Sequence, residues 1–512
     1  MTLAVLRGER MSGRRLTGAR RPGRPPWRIA FLTHFRPTGL ALLGGAVAAL
    51  SLPPFGWWPL GFLGVALLSW SLHDLRAVPR LAAGMAFGLG LFGIGLWWMN
   101  EFHILGAALA MLIEASFFAL ACLLVPRGRW SVVALPAALV IAESARAVVP
   151  FSGVPLAGIA LGQSAGPLAG AARIGGELLV FTLAVLAGLG LALLARRRFL
   201  PAAVASGLVL VGAVAGAVSP DGGEGPQVAT AIVQGGGRRG FRGIESDPQA
   251  VLDATLEASR DVRPPVSLIL WPEDVVDVDT AIGDSPEGRS VAEVARRAGA
   301  TVVAGVIENS GSDRFFNAAV AWSPEGNIVD RYDKVERVPF GEYIPARGLE
   351  EQFADISAVP RDAIVGRRSG VLRTPVGPLG VAISYEVFFS SRSRTATRAG
   401  ATLLLVPTNA ASFTSGQVPS HEVAAGRLRA IENGRDVLQA APTGYGAYID
   451  NRGRLRARTT LGRREVIQRP ATMRSGRTVY TAAGDAPLLG VAAVVLLLAW
   501  LRRRGVLRSR TT

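Results

Sequence analysis

Lysine is all but missing from this chain. Of 55 basic residues one is lysine, Lys334, and the other 54 are arginine (55 − 1). A GC-rich coding background exchanges lysine for arginine wherever only positive charge is wanted. The survivor therefore marks a place that needs a compact ammonium with three donors and a pKa that burial can move. Cysteine is equally scarce. The single Cys122 excludes an internal disulfide and a cysteine metal cluster. The four histidines, His34, His73, His103 and His421, are too scattered to suggest a metal site, and no cofactor is expected. Charge is thin at 18% of residues, half the chain is hydrophobic, and the mean hydropathy is +0.34. These values argue for a membrane protein and against a soluble enzyme. A net charge of +17 suggests nucleic acid at first sight. That partner is excluded because the arginines cluster beside apolar segments and form no single stripe. They read instead as topology-setting charge with some affinity for anionic headgroups.

What is present is a series of apolar runs, near 38–53, 58–73, 81–98, 104–125, 131–149, 176–195, 200–218 and 486–501. Several are rich in Gly and Ala, as packed membrane helices are. The loops between them alternate. PPFGWWP (53–59), WMNEFH (98–103) and FSGVPLAGIALGQSAGP (151–167) are free of arginine. The intervening loops contain Arg76 and Arg80, then Arg127 and Arg129, then Arg196, Arg197 and Arg198. The positive-inside rule puts both termini in the cytoplasm and the segment between the seventh and eighth runs outside. The expected organisation is a basic disordered cytoplasmic tail (1–37) with no cleavable signal, a seven-helix transmembrane domain (38–218), a domain over 222–475, an eighth transmembrane helix (484–503) and a basic tail (504–512). Trp57, Trp58, Trp97 and Trp98 fall at outer helix ends, where interface aromatics belong. Glu143 and Arg146, three apart in the fifth run, share a helix face. They are either a functional intramembrane pair or a structural one.

Residues 222–475 change character. ATAIVQ (229–234), VSLILWPE (266–273), TVVAGVI (301–307), NAAVAWS (317–323), PLGVAISYE (378–386) and TLLLVPTN (402–409) read as buried strands. Helical patterns at 291–300 and 421–434 fall between strands, which indicates a layered α/β domain. Sites in such sheets gather at the carboxyl ends of strands. Here those ends bear Glu273, Lys334 (after IVDRY, 328–332) and Ser384-Tyr385-Glu386. A carboxylate to move protons, an ammonium to stabilise an oxyanion and a hydroxyl to attack a carbonyl together suit acyl transfer.

With LILWPE, RFFNAAVAW, DKVERVPFGEYIP and the Ser-Tyr-Glu turn, the 222–475 segment resembles the carbon–nitrogen hydrolase (nitrilase) superfamily. With PPFGWWP and the Glu143/Arg146 segment leading to FSGVPLAGIALGQ, residues 38–503 resemble the apolipoprotein N-acyltransferase family. The resemblance implies an eight-helix membrane bundle bearing an extracytoplasmic αββα sandwich, in the bacterial cytoplasmic membrane. It implies transfer of an acyl chain from a phospholipid to the N-terminal diacylglyceryl-cysteine of a lipoprotein. By matching position it makes Glu273 the general base, Lys334 the oxyanion stabiliser and Glu342 a supporting carboxylate, with Tyr385 and Glu386 following the nucleophile. The family's pattern there is Cys-Tyr-Glu, and this chain has Ser384. Cys122, in the fourth run, cannot replace it. A thiol with a pKa of roughly 8.5 is partly ionised near neutrality, whereas a serine hydroxyl needs a base. Three outcomes stay open: serine turnover helped by Lys334 or Glu273, a paralogue that binds lipid, lipoprotein or an envelope enzyme without turnover, or related chemistry on another substrate, such as a nitrilase-type amidase.

Overall fold

The computed structural model describes the backbone of residues 26–240, 247–350 and 359–504, with side chains over the same ranges except 26–35 and 349–350. The first part is helical: α1 Pro26–Ala49, α2 Pro59–Ser71, α3 Ala77–Gly95, α4 Ile104–Leu124, α5 Ser131–Arg146, α6 Ile159–Gly162, α7 Ala172–Ala195 and α8 Phe199–Val218. Helix α1 starts at a proline, whose missing N–H costs nothing in a first turn. Residues 26–37, expected in a disordered tail, are therefore helical, while 1–25 and 505–512 lie outside the described residues. Among the described residues five helices are long and apolar enough to cross a membrane: Ala77–Gly95, Ile104–Leu124, Ala169–Ala195, Phe199–Val218 and Ala486–Arg503. Helix α2 is apolar but has 13 residues.

Small residues let these helices touch through their backbones. A Cβ added at Gly45 of α1 would lie 1.9 Å from the Phe87 carbonyl oxygen of α3, and one at Gly90 of α3 would lie 2.3 Å from that of Leu42. Glu143 and Arg146 form a larger cluster than their spacing suggests. Arg146 donates through Nε to Glu114 on α4 (2.6 Å) and through Nη1 to Glu143 (2.9 Å), and its Nη2 reaches the carbonyls of Val154 and Leu156. The guanidinium thus neutralises two carboxylates and fixes the loop after α5.

The second part is a sandwich of two sheets. Its elements are β1 Gln227–Gln234, α9 Pro248–Ala258, β2 Leu268–Leu270, β3 Val276–Val278, α10 Pro286–Ala298, β4 Thr301–Ser310, β5 Arg314–Trp322, β6 Ile328–Asp333, α11 Arg347–Glu350, β7 Asp362–Ala363, β8 Val371–Thr374, β9 Gly377–Val381, α12 Ser390–Arg398, β10 Leu403–Pro407, α13 Gln417–Asn433, β11 Val437–Ala440, β12 Ala447–Ile449, β13 Leu455–Arg458 and β14 Glu465–Thr472. One sheet runs β14-β1-β2-β4-β5-β6, with β3 on β4 and β7 on β5. The other runs β13-β12-β11-β10-β9-β8. Alternation along the strands explains the layering. Leu268, Leu270 and Val303 of the first sheet meet Leu379, Leu403, Leu405 and Leu438 of the second in one inter-sheet core. Ile269 and Val302 face outward against α9 and α10. Leu404 and Val406 face outward against α13, whose other side packs on α7. After β14 come α14 Val479–Ala483 and α15 Ala486–Arg503, which packs on α5.

The loops divide between two ends of the helical part. The arginine-free loops meet the sandwich: Pro53 O accepts from His421 Nε2 (2.8 Å), Trp98 stacks edge-on with Phe413, and Gly153 O accepts from the Tyr385 hydroxyl (3.0 Å). The arginine-bearing loops close on one another, with Arg127 donating to Leu75 O and Arg196 to Trp70 O.

Replacing Gly45 by Leu forces α1 from α3 and costs at least about 3 kcal/mol through overpacking. Gly93→Leu, where an added Cβ has nothing within 4 Å, leaves stability unchanged. Thermal unfolding of the detergent-purified chain measures both.

Candidate active site

Lys334 follows β6 directly and is 2% exposed. Its Nζ donates to Glu273 Oε1 (2.8 Å) and Glu342 Oε1 (2.7 Å). Glu273 follows β2 through Trp271 and Pro272. It sits close to β4 because residue 305 is glycine: a Cβ there would lie 2.4 Å from Glu273 Cα. Glu342 is held from its other oxygen by the Val338 N–H (2.9 Å). Asn317 of β5 donates to both carboxylates, at 2.9 and 2.8 Å. Burial alone would lower the Lys334 pKa, but the charges of Glu273 and Glu342 outweigh it and hold the ammonium above its ordinary value. Lys334 is therefore a fixed cation and cannot serve as a base. Burial pushes the Glu273 carboxyl up, against the pull of Lys334.

Ser384 opens a short 3-10 turn, Ser384–Phe388, beyond β9. Its φ of +48° lies in the left-handed region, a strain of about 1–3 kcal/mol for a residue with a Cβ. Glu386 supplies the constraint. One carboxylate oxygen accepts from Ile383 N–H (2.8 Å). The other accepts from the Tyr332 hydroxyl (2.7 Å) and from the N–H groups of Val335 (2.8 Å) and Glu336 (3.2 Å). The serine turn and the lysine loop are thus tied to one buried side chain. Glu386 organises the site and is fully buried. Tyr385 points to the helical part, bonding Gly153 and packing on Phe388 and Phe389.

Sequence reasoning missed several polar groups here. Asn317 is the one amide inside an apolar strand, a signal that was available. Asp274, beside Glu273, accepts from Asn409 at 3.2 Å, and burial and the Glu273 charge push its carboxyl well up. Thr408, just past β10, hydrogen-bonds with Ser384 Oγ (3.2 Å) and with Glu422 of α13. Glu422 shares a helix face with Ala425 and Gly426, and that company is the sign of burial. Cys122 is buried in α4, far in the fold from this turn. Among the described residues no three metal-ligating side chains converge.

Residues 230–477 match the carbon-nitrogen hydrolase family, and residues 44–214 match the apolipoprotein N-acyltransferase N-terminal domain. The chain is 32% identical over 497 residues to the apolipoprotein N-acyltransferase of Methylococcus capsulatus, covering 91% of this chain and 96% of that protein. The chain belongs to the apolipoprotein N-acyltransferase family. It is also 30% identical over 516 residues to the protein of that name from Mycolicibacterium smegmatis (91% of this chain, 85% of that one), and 32% over 509 residues to that from Azotobacter vinelandii (91% and 95%). Membership in the family accounts for both halves at once: an apolar helical region and a carbon–nitrogen hydrolase sandwich built against it.

Glu386→Gln turns an amide NH2 towards backbone N–H donors whichever way it is placed, and an unmade buried hydrogen bond costs about 1–3 kcal/mol. The expected outcome is a lower unfolding temperature and at least ~10-fold lower acyl transfer. Tyr332→Phe, which removes one of four donors, has a smaller effect on both. Calorimetry and turnover of the purified variants check this.

Proposed function

We propose that this chain is a membrane acyltransferase that moves an acyl chain from a phospholipid to the N-terminal diacylglyceryl-cysteine of lipoproteins, with Ser384 as the acyl carrier. The observation that supports it most directly is the buried Lys334 ammonium, clamped by Glu273 and Glu342 beside the Glu386-anchored serine turn. Ser384 Oγ attacks the ester carbonyl, and Lys334 stabilises the oxyanion. As the ester carbon–oxygen bond breaks, the departing lysophospholipid alkoxide takes up the proton given up by the Ser384 hydroxyl. The lipoprotein α-amine then attacks the acyl-serine ester, Glu273 takes a proton from it and passes it to the Ser384 oxygen, which is released as the amide forms. A binding-only paralogue or a nitrilase-type amidase is less well supported, because relatives named apolipoprotein N-acyltransferases align across both halves of the chain.

The bundle crosses the cytoplasmic membrane eight times, with both termini cytoplasmic and the sandwich outside. The contacts of the three arginine-free loops with the sandwich support this, as does the pairing of the arginine-bearing loops with each other at the other end. Trp500 of α15 bonds Leu124 O, beside the Arg127 loop, which supports a cytoplasmic C-terminus. The acyl donor then reaches the serine from the outer leaflet, with Gly153 and Tyr385 at the seam.

A strain depleted of its own acyltransferase tests the reading, with lipoprotein N-termini analysed by mass spectrometry. The native chain restores triacylated lipoprotein and Ser384→Ala does not. Lys334→Arg, whose planar fork cannot replace a point charge, loses roughly 10²-fold or more. Triacylation by Ser384→Ala would eliminate the serine as carrier.

A further inference from the structure

We propose that Ser384, Thr408 and Glu422 form a proton relay that activates the serine hydroxyl, with Glu422 as the terminal proton acceptor. This rests on the acyl-serine reading above. Glu422 lies in the first turns of α13, is 2% exposed, and forms no ion pair with a cation among the described residues. Its Oε1 takes the Thr408 hydroxyl, and its Oε2 has no hydrogen-bond partner. Its neighbour His421 is turned away onto Pro53 O. A buried carboxyl with half its bonding capacity unused is costly as a structural element. Thr408 is wholly buried, and its single hydroxyl proton decides the direction of the chain. When Glu422 is ionised, Thr408 must donate to it, and Ser384 then donates into Thr408. When Glu422 is protonated, the chain reverses and Ser384 becomes an acceptor, unable to pass its proton on.

The step balances. The Ser384 Oγ–carbon bond forms as the Ser384 proton moves to Thr408 Oγ1, and the proton of Thr408 moves to Glu422 Oε1. The ester carbon–oxygen bond breaks, and Glu422 returns that proton through Thr408 to the departing alkoxide. In the second half Glu273 takes a proton from the amine and gives it to the departing Ser384 oxygen. Both carboxyls end as they began. The groups facing Glu422 are Thr408 at the end of β10 and, across the site, Glu273 and Lys334; His421 adjoins it on α13. Burial raises the Glu422 pKa to about 8, with the Glu273 charge adding and Lys334 and Thr408 opposing. The relay is therefore set for attack above that value, and acylation of Ser384 rises with pH through it. Glu422 acts on the substrate only through Thr408 and is a positioning residue.

The experiment uses the purified full chain, a phospholipid with a labelled acyl chain and an S-diacylglyceryl-cysteine peptide, following acyl-enzyme by intact mass and product by fluorescence. Glu422→Gln and Thr408→Val are expected to lower kcat at least ~100-fold, the lower range for general-base loss, and to abolish the rise near pH 8. Glu422→Asp and Thr408→Ser retain the rise. In a Ser384→Cys background, where the thiol ionises by itself, Glu422→Gln changes the rate less than about 5-fold. Equal losses in both backgrounds, or native-like kinetics in Glu422→Gln, overturn the relay while leaving the acyl-serine reading intact. No acyl-enzyme in either the native chain or Ser384→Cys overturns both. If Glu422→Gln does not fold, the native profile decides: a rise near pH 8 that vanishes in Ser384→Cys supports the relay, and its persistence there overturns it.

Discussion

A lysine ammonium cannot leave water for a protein interior unless its charge is matched. Lys334 is matched twice, by Glu273 and Glu342, and Asn317 fastens both carboxylates from the neighbouring strand. Four segments thereby converge on one ion: the residues after β2, the centre of β5, the end of β6 and the loop from Val338 to Glu342. Removing one partner of such a buried cluster costs about 3–5 kcal/mol, because the others stay behind uncompensated. Replacing the whole cluster with apolar side chains of similar volume is often neutral or stabilising. An ammonium kept in a chain that otherwise writes its cations as arginine is thus better explained by chemistry than by stability.

The same ion sets where the serine can stand. Glu386 accepts from the two N–H groups that immediately follow Lys334 and from the one that precedes Ser384. The strained φ at Ser384 is paid in those hydrogen bonds. On the other side of the turn Tyr385 reaches Gly153, and the loop bearing Gly153 is pinned by Arg146 through the carbonyls of Val154 and Leu156. A continuous set of contacts therefore runs from the Glu114–Arg146–Glu143 cluster in the helices to the reactive turn. The helical part is more than an anchor: it fixes one wall of the site.

Periodicity and strand-end logic made much of this legible. The buried strands, the main helices of the sandwich, and Glu273, Lys334 and Ser384 could be read from short β-branched runs and the lone lysine, whereas Glu342 came only from the family resemblance. What stayed hidden has physical causes. Strands β11 to β13 are three or four residues long and owe their state to neighbours, with no pattern of their own to show it. Glu114 is distant in sequence from Arg146, so an i, i+3 pairing looked complete without it. For Glu386 the resemblance gave only its place after the nucleophile, because nothing in one sequence reveals that three backbone N–H groups point at one oxygen pair. Thr408 and Glu422 come from different elements and meet only when α13 lies on the second sheet.

The departure from Cys to Ser at 384 and the unpaired carboxyl of Glu422 are best taken together. A thiol brings its own acidity to the attack, whereas a hydroxyl has to be given a base. Lys334 is held charged and has no lone pair to offer. Glu273 is bonded to Lys334 and Asn317 and is needed for the amine. The group that remains within hydrogen-bonded reach of Ser384 is Glu422, through Thr408. Its lack of a cation, a defect if the side chain were structural, keeps its proton affinity high enough to compete for a hydroxyl proton. Two features that each look like a fault, a weak nucleophile and an uncompensated buried acid, are complementary when joined by one threonine.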